Sequence, residues 1–243
     1  MKKMSKFALV ALTIAVSLPS FAKAEEKEQV YDGAVGWTPV AVGVASPLQL
    51  PWGRARWDVF GLDLNLFYTD APKMYGIGAG GVAMATRDDL MGIQASLLCN
   101  WASADVYGIR ASIGGNIAFG ESYGLEVGAF AYRPEEFWGV DVNLLGAYQR
   151  KFNGLQVAGL ATVTSDQSYG MMAGLFGNYA AVSYGLQLGG IINYTSELHG
   201  CQIALVNIAS ECPWGFQIGL VNIMLDNAIP VLPFVNCYFL SAV

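Results

Sequence analysis

Residues that could do catalytic or metal-binding chemistry are few in this sequence. The only histidine is His199, and the cysteines at positions 99, 201, 212 and 237 show no CxxC spacing. A zinc site needs several such ligands at short spacing, and a catalytic site needs a nucleophile beside a base. We therefore expect no catalytic residue, no metal ligand and no cofactor, and a protein that is not an enzyme. We expect the cysteines to pack as free, small apolar residues.

One column of polar residues has functional potential. Glycine recurs every 15 or 16 residues, and the residue two positions after it is polar or charged in nine of eleven repeats. These plus-two residues are Asp63, Gln94, Arg110, Glu126, Asp141, Gln156, Gln187, Gln202 and Gln217. We interpret them as the wet face of a sheet or as the lining of a barrel lumen. On either interpretation an added charge should be tolerated at Gln156 but not at its neighbour Val157.

The segments around these residues have the pattern of β-strands. The repeat glycines are Gly61, Gly76, Gly92, Gly108, Gly124, Gly139, Gly154, Gly170, Gly185, Gly200 and Gly215. The preceding residue is usually aromatic, and the residues one and three positions after the glycine are always apolar. Apolar and polar positions thus alternate with period two over about eleven residues, and a polar turn completes each unit. The sequence therefore predicts an all-β repeat protein.

The composition adds a constraint on where the apolar residues lie. Hydrophobic residues make up 54% of the chain and charged residues only 13%, about half the usual share of charge. After residue 24, no stretch approaches the ~20 apolar residues of a transmembrane helix. High hydrophobicity spread by alternation is typical of membrane β-strands.

Two all-β architectures fit a unit of this length. We favour an antiparallel meander β-barrel of about twelve strands, because an alternating segment of about eleven residues is long enough to cross a membrane when tilted. The alternative is a β-solenoid with one coil per repeat. The near-constant interval supports the solenoid, and Asn207 and Asn222 would stack as a ladder in a solenoid corner.

The N-terminus predicts export and sets the domain boundaries. Lysines at positions 2, 3 and 6 precede a mostly apolar stretch at residues 7–18, and Ala22 and Ala24 supply the small residues of a cleavage site. We expect a signal peptide at residues 1–24. Residues 25–58 form an N-terminal segment with a first strand expected near residues 37–45, and residues 59–243 form a single β-repeat domain.

Two of the repeats resemble a known family. Residues 200–209, GCQIALVNIA, and residues 215–224, GFQIGLVNIM, are similar to the G-x-Q-I-G-L-x-N-I repeat of a family of bacterial envelope "surface repeat" proteins. The match is clear over about residues 185–240, and degenerate copies extend back to Gly61. The resemblance implies an outer-membrane or cell-surface location, and it transfers no functional residue.

These observations lead to one functional expectation. We expect an exported protein of the bacterial outer membrane or cell surface with a structural or interaction role, in contact with outer-membrane lipid and with an unidentified protein or surface ligand. The alternative is a passive outer-membrane pore for small polar solutes, lined by the plus-two residues. A net charge of −6 disfavours a nucleic-acid partner.

Overall fold

The structure is a computed structural model that describes residues 34–45, 48–52 and 56–239. These residues form β-strands, and no helix occurs among them. The prediction of an all-β protein is therefore confirmed. The expected signal peptide lies outside the described residues.

Fifteen strands follow one another along the described chain. They are β1 Gly36–Ala45, β2 Leu48–Leu50, β3 Trp57–Ala71, β4 Met74–Gly80, β5 Ala83–Thr86, β6 Leu90–Ser96, β7 Cys99–Ala102, β8 Val106–Ser112, β9 Gly115–Ala118, β10 Ser122–Ala158, β11 Ala161–Gly174, β12 Gly177–Gly189, β13 Ile192–Ile203, β14 Val206–Met224 and β15 Val231–Phe239. The longest strands, such as β10, bend and continue through more than one side of a coil.

Successive repeats stack on one another in parallel and in register. Gly61 pairs with Gly76, and Gly185 pairs with Gly200, so equivalent residues lie directly above one another along the chain. The result is a β-solenoid of about ten coils. The prediction of an antiparallel meander barrel is wrong, and the solenoid that we kept as the alternative is confirmed.

Each repeat supplies two strands rather than one, which explains why the barrel prediction fails. In one repeat β4 forms one side of the coil and β5 the other, with a bend of two residues between them. The strand β4 pairs with β6, whereas β5 pairs with β7. We name the side that carries the repeat glycine strand A and the opposite side strand B. The alternation that indicated one long strand in fact continues round this bend.

The stacking depends on the repeat glycines. Gly108 has φ of +144°, a conformation that residues with a Cβ rarely adopt. A Cβ at Gly108 would also overlap the backbone carbonyl oxygen of Gly92 in the preceding coil. Glycine at this position therefore permits both the backbone conformation and the close approach of neighbouring coils.

Antiparallel strands close both ends of the solenoid. At the first coil β1 stacks in parallel on β3, and the short strand β2 pairs antiparallel with β1. At the last coil β15 runs back along β14 in the antiparallel direction, from Ile223↔Val231 to Trp214↔Phe239. The first strand expected near residues 37–45 is thus present as β1.

The interior combines apolar clusters with polar ladders. Apolar side chains fill the part of the interior next to the turn that precedes each strand A. They form clusters such as Met74, Met84, Leu90, Val106 and their neighbours, or Phe137, Phe152, Met172 and Ala180. The rest of the interior is occupied by polar side chains, whose arrangement is the subject of the next section.

Candidate interaction surface

All nine plus-two side chains lie inside the solenoid. Their exposed fractions are between 0% and 2%, so the interpretation of this column as a wet face or as the lining of a lumen is wrong. The physical reason is that the inward side of a two-stranded coil faces the opposite strand rather than water. The expected tolerance of charge is reversed as well, because Gln156 is fully buried whereas Val157 is 37% exposed.

The last three plus-two glutamines form an amide ladder. The Nε2 of Gln202 donates to Oε1 of Gln187 at 2.7 Å, and the Nε2 of Gln217 donates to Oε1 of Gln202 at 2.8 Å. The Nε2 of Gln217 also donates to the carbonyl oxygen of Ile223 at 3.1 Å. Buried amides are stable here because equivalent amides in neighbouring coils supply their partners.

The central plus-two residues form a buried ionic ladder. Arg110 donates to Glu126 through Nε at 3.0 Å, and Arg133 forms ion pairs with both Glu126 and Asp141. Burial alone would raise the pKa of the Glu126 carboxyl, but the guanidinium groups of Arg110 and Arg133 outweigh it and lower that pKa. The charges thus compensate one another without contact with water.

Arg133 is a member of this ladder that the sequence analysis missed. It lies on strand B, nine residues after its repeat glycine, at the end of the alternating segment and outside the plus-two column on which the sequence analysis relied. One signal in the sequence could have indicated it. Arg133 is a basic residue between Tyr132 and Pro134, and it lies between Glu126 and Asp141, the acidic plus-two residues of two consecutive repeats.

A second ladder, made of asparagines, lies beneath the bend between strands A and B. Asn178 donates to Asn193, Asn193 to Asn207 and Asn207 to Asn222, over distances of 2.8 to 3.1 Å. Each of the first three also donates to the backbone carbonyl three residues after the next repeat glycine, as Asn178 does to Leu188. The expectation that Asn207 and Asn222 would stack in a solenoid corner is confirmed.

Among the described residues, no group of three or more histidine, cysteine, aspartate or glutamate side chains is placed to hold a metal ion. His199 contacts the carboxylate of Glu197 at 2.6 Å and stacks on Tyr184 with ring centroids 4.5 Å apart. Burial, together with Asp226 and Cys237, raises the pKa of Cys212 to about 12. Because a cysteine reacts as its thiolate, this thiol is inert near neutral pH.

The outward side of strand A is apolar along the whole solenoid. The positions one and three residues after the repeat glycine carry aliphatic side chains, or small or aromatic ones, and no charge. Many of these side chains are substantially exposed, among them Leu64, Ile77, Ile93, Ile109, Val127, Val140, Val142, Val157, Ile203, Phe216 and Ile218. An apolar surface of this extent is unusual for a protein surrounded by water.

The bend between strands A and B is also apolar, and we name it the apolar edge. It consists of the residues five and six positions after each repeat glycine, and Leu144 and Leu175 are 71% and 67% exposed there. Other exposed members are Leu66, Phe67, Leu97, Leu98, Ile113, Leu145, Leu160, Phe176, Ile191, Leu205, Leu220 and Val221.

The outward-facing charges lie at the opposite bend and at the adjoining end of strand B, where Asp70 of β3 is in register with Ala85 and Trp101. We name this region the charged edge. It connects strand B of one coil to strand A of the next. Its residues are mostly acidic: Asp58, Asp70, Asp88, Asp89, Asp105, Glu121, Glu135, Glu136, Asp166, Glu197, Glu211 and Asp226, with Arg56, Lys73, Arg87, Arg150 and Lys151. The other charges in residues 56–239 lie in the interior.

Stacked aromatic rings lie between the charged edge and the apolar surface on both strands. On strand A the rings of Tyr107 and Tyr123 stack at 5.0 Å, and those of Tyr169 and Tyr184 stack at 4.6 Å. On strand B the rings of Tyr179 and Tyr194 stack at 5.6 Å, as do Tyr132 and Tyr148 at 5.5 Å. Most coils thus run from the charged edge through the aromatic rows to the apolar surface.

Comparisons with protein-family models, with curated proteins and with solved structures gave no match to this chain. The resemblance of residues 185–240 to the surface repeat family is therefore neither supported nor contradicted. In the part of the chain that the structure describes, no helix is long and apolar enough to cross a membrane.

Proposed function

We propose that this chain is an exported, non-enzymatic protein of the bacterial envelope whose solenoid binds an apolar partner through its outer surface. One observation carries the proposal. The outward positions of strand A and the apolar edge are uncharged through about ten coils, and many of their side chains are exposed.

The distribution of polar groups supports this proposal. Scattered exposed hydrophobic residues are normal on protein surfaces, but contiguous apolar patches mark interaction sites. In this solenoid many amide and carboxylate side chains, such as Gln202 and Asp141, are buried in the interior and do not cover the surface. The free energy of exposing so much apolar surface to water favours a bound state.

The interior does not support the pore that the sequence left as an alternative. A pore requires an open lumen lined by polar groups. In the described coils the plus-two side chains hydrogen-bond across the space that a lumen would occupy, as Gln156 does to Gln149 of the opposite strand at 3.0 Å. We therefore do not propose conduction of solutes.

The test is the location of a variant with charges on the outer surface of strand A. In Ile77→Lys/Ile109→Lys/Ile218→Lys the three replaced side chains are 52%, 41% and 40% exposed, so the solenoid should still fold. We expect the wild-type chain in the envelope fraction of its native cells and this variant in the soluble exported fraction.

The matched control carries the same added charge on the charged edge, as Ser103→Lys/Gln167→Lys/Ser210→Lys. It should stay with the envelope. Circular dichroism and protease resistance of each purified chain show whether the fold is intact. If the correctly folded surface variant remained in the envelope as fully as the wild type, an apolar partner would not be what holds the protein there.

A further inference from the structure

We propose that the partner of the apolar surface is a lipid leaflet, into which the solenoid inserts its apolar edge with its long axis parallel to the membrane plane. The charged edge then stays in water. This inference rests on the proposed function and names the partner of the same surface. Three features of the solenoid favour lipid over a protein partner.

The first feature is the extent of the apolar surface around each coil. Strand A and the apolar edge are apolar on their outward sides, and so is the row of strand B beside that edge, which includes Phe130, Ala161, Ile192 and Val206. A flat protein partner, or a second copy of this chain, would cover one of these three sides. Lipid acyl chains can surround all three at once.

The second feature is the position of the tyrosine and tryptophan rings. Rings such as Trp138 and Tyr107 on strand A and Tyr148 on strand B lie between the apolar surface and the charged edge. Tyrosine and tryptophan concentrate at the boundary between lipid headgroups and hydrocarbon in membrane proteins. Because such rows occur on both sides of the coil, they define one plane across the solenoid.

The third feature is that the backbone of the apolar edge is hydrogen-bonded within the protein. Hydrocarbon offers no hydrogen-bond partner, so the backbone N–H and C=O groups of an inserted segment must hydrogen-bond within the protein. At the apolar edge Leu98 N donates to Val82 O at 2.8 Å and Phe176 N to Leu160 O at 2.8 Å, from one coil to the preceding one. The side chains of the asparagine ladder beneath the edge donate hydrogen bonds to further backbone carbonyl oxygens, as Asn193 does to that of Ile203.

The dimensions agree with insertion into one leaflet. Five residues separate the plus-one position from the far side of the apolar edge, which is about 16 Å of extended strand. Half of the hydrocarbon core of a bilayer is about 15 Å thick. The charged edge is mostly acidic, so binding should not require anionic lipid and should not weaken in high salt.

Flotation with protein-free vesicles of phosphatidylcholine tests the proposal directly. The purified, processed full chain should float with the vesicles at low and high salt. Leu144→Asp/Leu175→Asp places two charges on the apolar edge and should reduce the bound fraction about tenfold or more, since charge in hydrocarbon is strongly unfavourable. The matched variant Ser103→Asp/Ser165→Asp adds the same charge to the charged edge and should bind like the wild type.

The depth of each edge is the second measurement. In a variant with all four cysteines replaced by serine or alanine, an environment-sensitive dye is attached at Leu144→Cys or at Ser165→Cys. Emission should shift to the blue on addition of vesicles for the first site only. Equal shifts at both sites, or none at either, would overturn the insertion of the apolar edge.

Two outcomes separate this inference from the proposed function. If the purified chain does not float, yet the lysine variant of strand A is released from native envelopes, the partner is an envelope protein and the lipid assignment is wrong. If the wild-type chain is instead a dimer in detergent-free solution and the Leu144→Asp/Leu175→Asp variant is a monomer, a second copy of the chain is the partner. Loss of flotation in the Ser103/Ser165 variant as well would also contradict lipid insertion by the apolar edge.

Discussion

The buried glutamines satisfy one another along the solenoid axis. Gln202 donates to Gln187 and accepts from Gln217, so this amide is paired with an amide in each neighbouring coil, whereas Gln187 Nε2 and Gln217 Oε1 at the two ends of the ladder have no partner. A side chain at this position is constrained by its neighbours in two coils. On the outward side of the same strand Ile203 has no such constraint, since it is 37% exposed.

Two lysine substitutions at adjacent positions should therefore differ strongly in their effect on stability. Gln202→Lys places an unpaired charge in the interior and disrupts the hydrogen bonds of Gln202 with Gln187, Gln217 and the carbonyl of Ile208, so we expect a loss of about 2–4 kcal/mol or failure to fold. Ile203→Lys points outward and should cost less than about 1 kcal/mol. Urea unfolding of both variants measures the difference, and equal losses would contradict the inward orientation of Gln202.

The glycine column is the other constraint at the scale of single residues. Gly108→Ala combines an unfavourable φ with overlap on the carbonyl of Gly92, and we expect destabilisation of about 1–3 kcal/mol. Gly128→Ala is the comparison, because its nearest contact would be the Asn116 Nδ2 at 3.1 Å and its φ is not in the left-handed region. Thermal unfolding should show a clearly smaller loss for Gly128→Ala.

At the scale of elements, the strands could be predicted but their pairing could not. Period-two alternation and the glycine interval correctly indicated β-structure throughout. They did not show the bend between β4 and β5, because apolar residues such as Val82 occur there as they do within strands. Nor could alternation decide which side is interior, since both a barrel in lipid and this solenoid place polar residues inward and apolar residues outward.

The ionic ladder that spans β8 and β10 should make folding sensitive to acid. The pKa of Glu126 is lowered in the folded state, so its contribution to stability is complete above the unfolded value of about 4.3 and is lost as the pH falls through the folded value. Below about pH 4 the midpoint of thermal unfolding should fall more steeply for the wild type than for Glu126→Gln. Parallel curves would show that Glu126 does not contribute in this way.

At the scale of the whole molecule, each coil contacts only the coils beside it. Deletion of one coil, residues 170–184, would stack Gly185 directly on Gly154. Deletion of two coils, residues 170–199, would stack Gly200 on Gly154. In both variants a repeat glycine again pairs with a repeat glycine, as it does between neighbouring coils of the intact chain. A solenoid should tolerate both deletions, with a loss of stability that grows with the number of coils removed. An antiparallel barrel would require an even number of strands.

The measurement is the thermal midpoint and the protease resistance of the two deletion variants. We expect both to fold, with the single deletion more stable than the double deletion. A single deletion that failed while the double deletion folded would contradict the solenoid, because only an alternating strand direction makes parity matter.

The antiparallel strands at the two ends have a consequence for self-assembly. Parallel, in-register stacking of like residues with amide ladders is the arrangement by which amyloid fibrils elongate, and every internal coil of this solenoid presents such a template. The strand β15 ends the series because it runs in the opposite direction, and Pro230 and Pro233 remove amide donors from this segment. Removal of both end segments, leaving residues 57–229, should therefore convert a solenoid of fixed length into a polymer that grows end to end and is seeded by its own fragments, detectable by thioflavin fluorescence and by electron microscopy. A truncated chain of this kind that stayed monomeric at high concentration would show that the end strands are not what stops this growth.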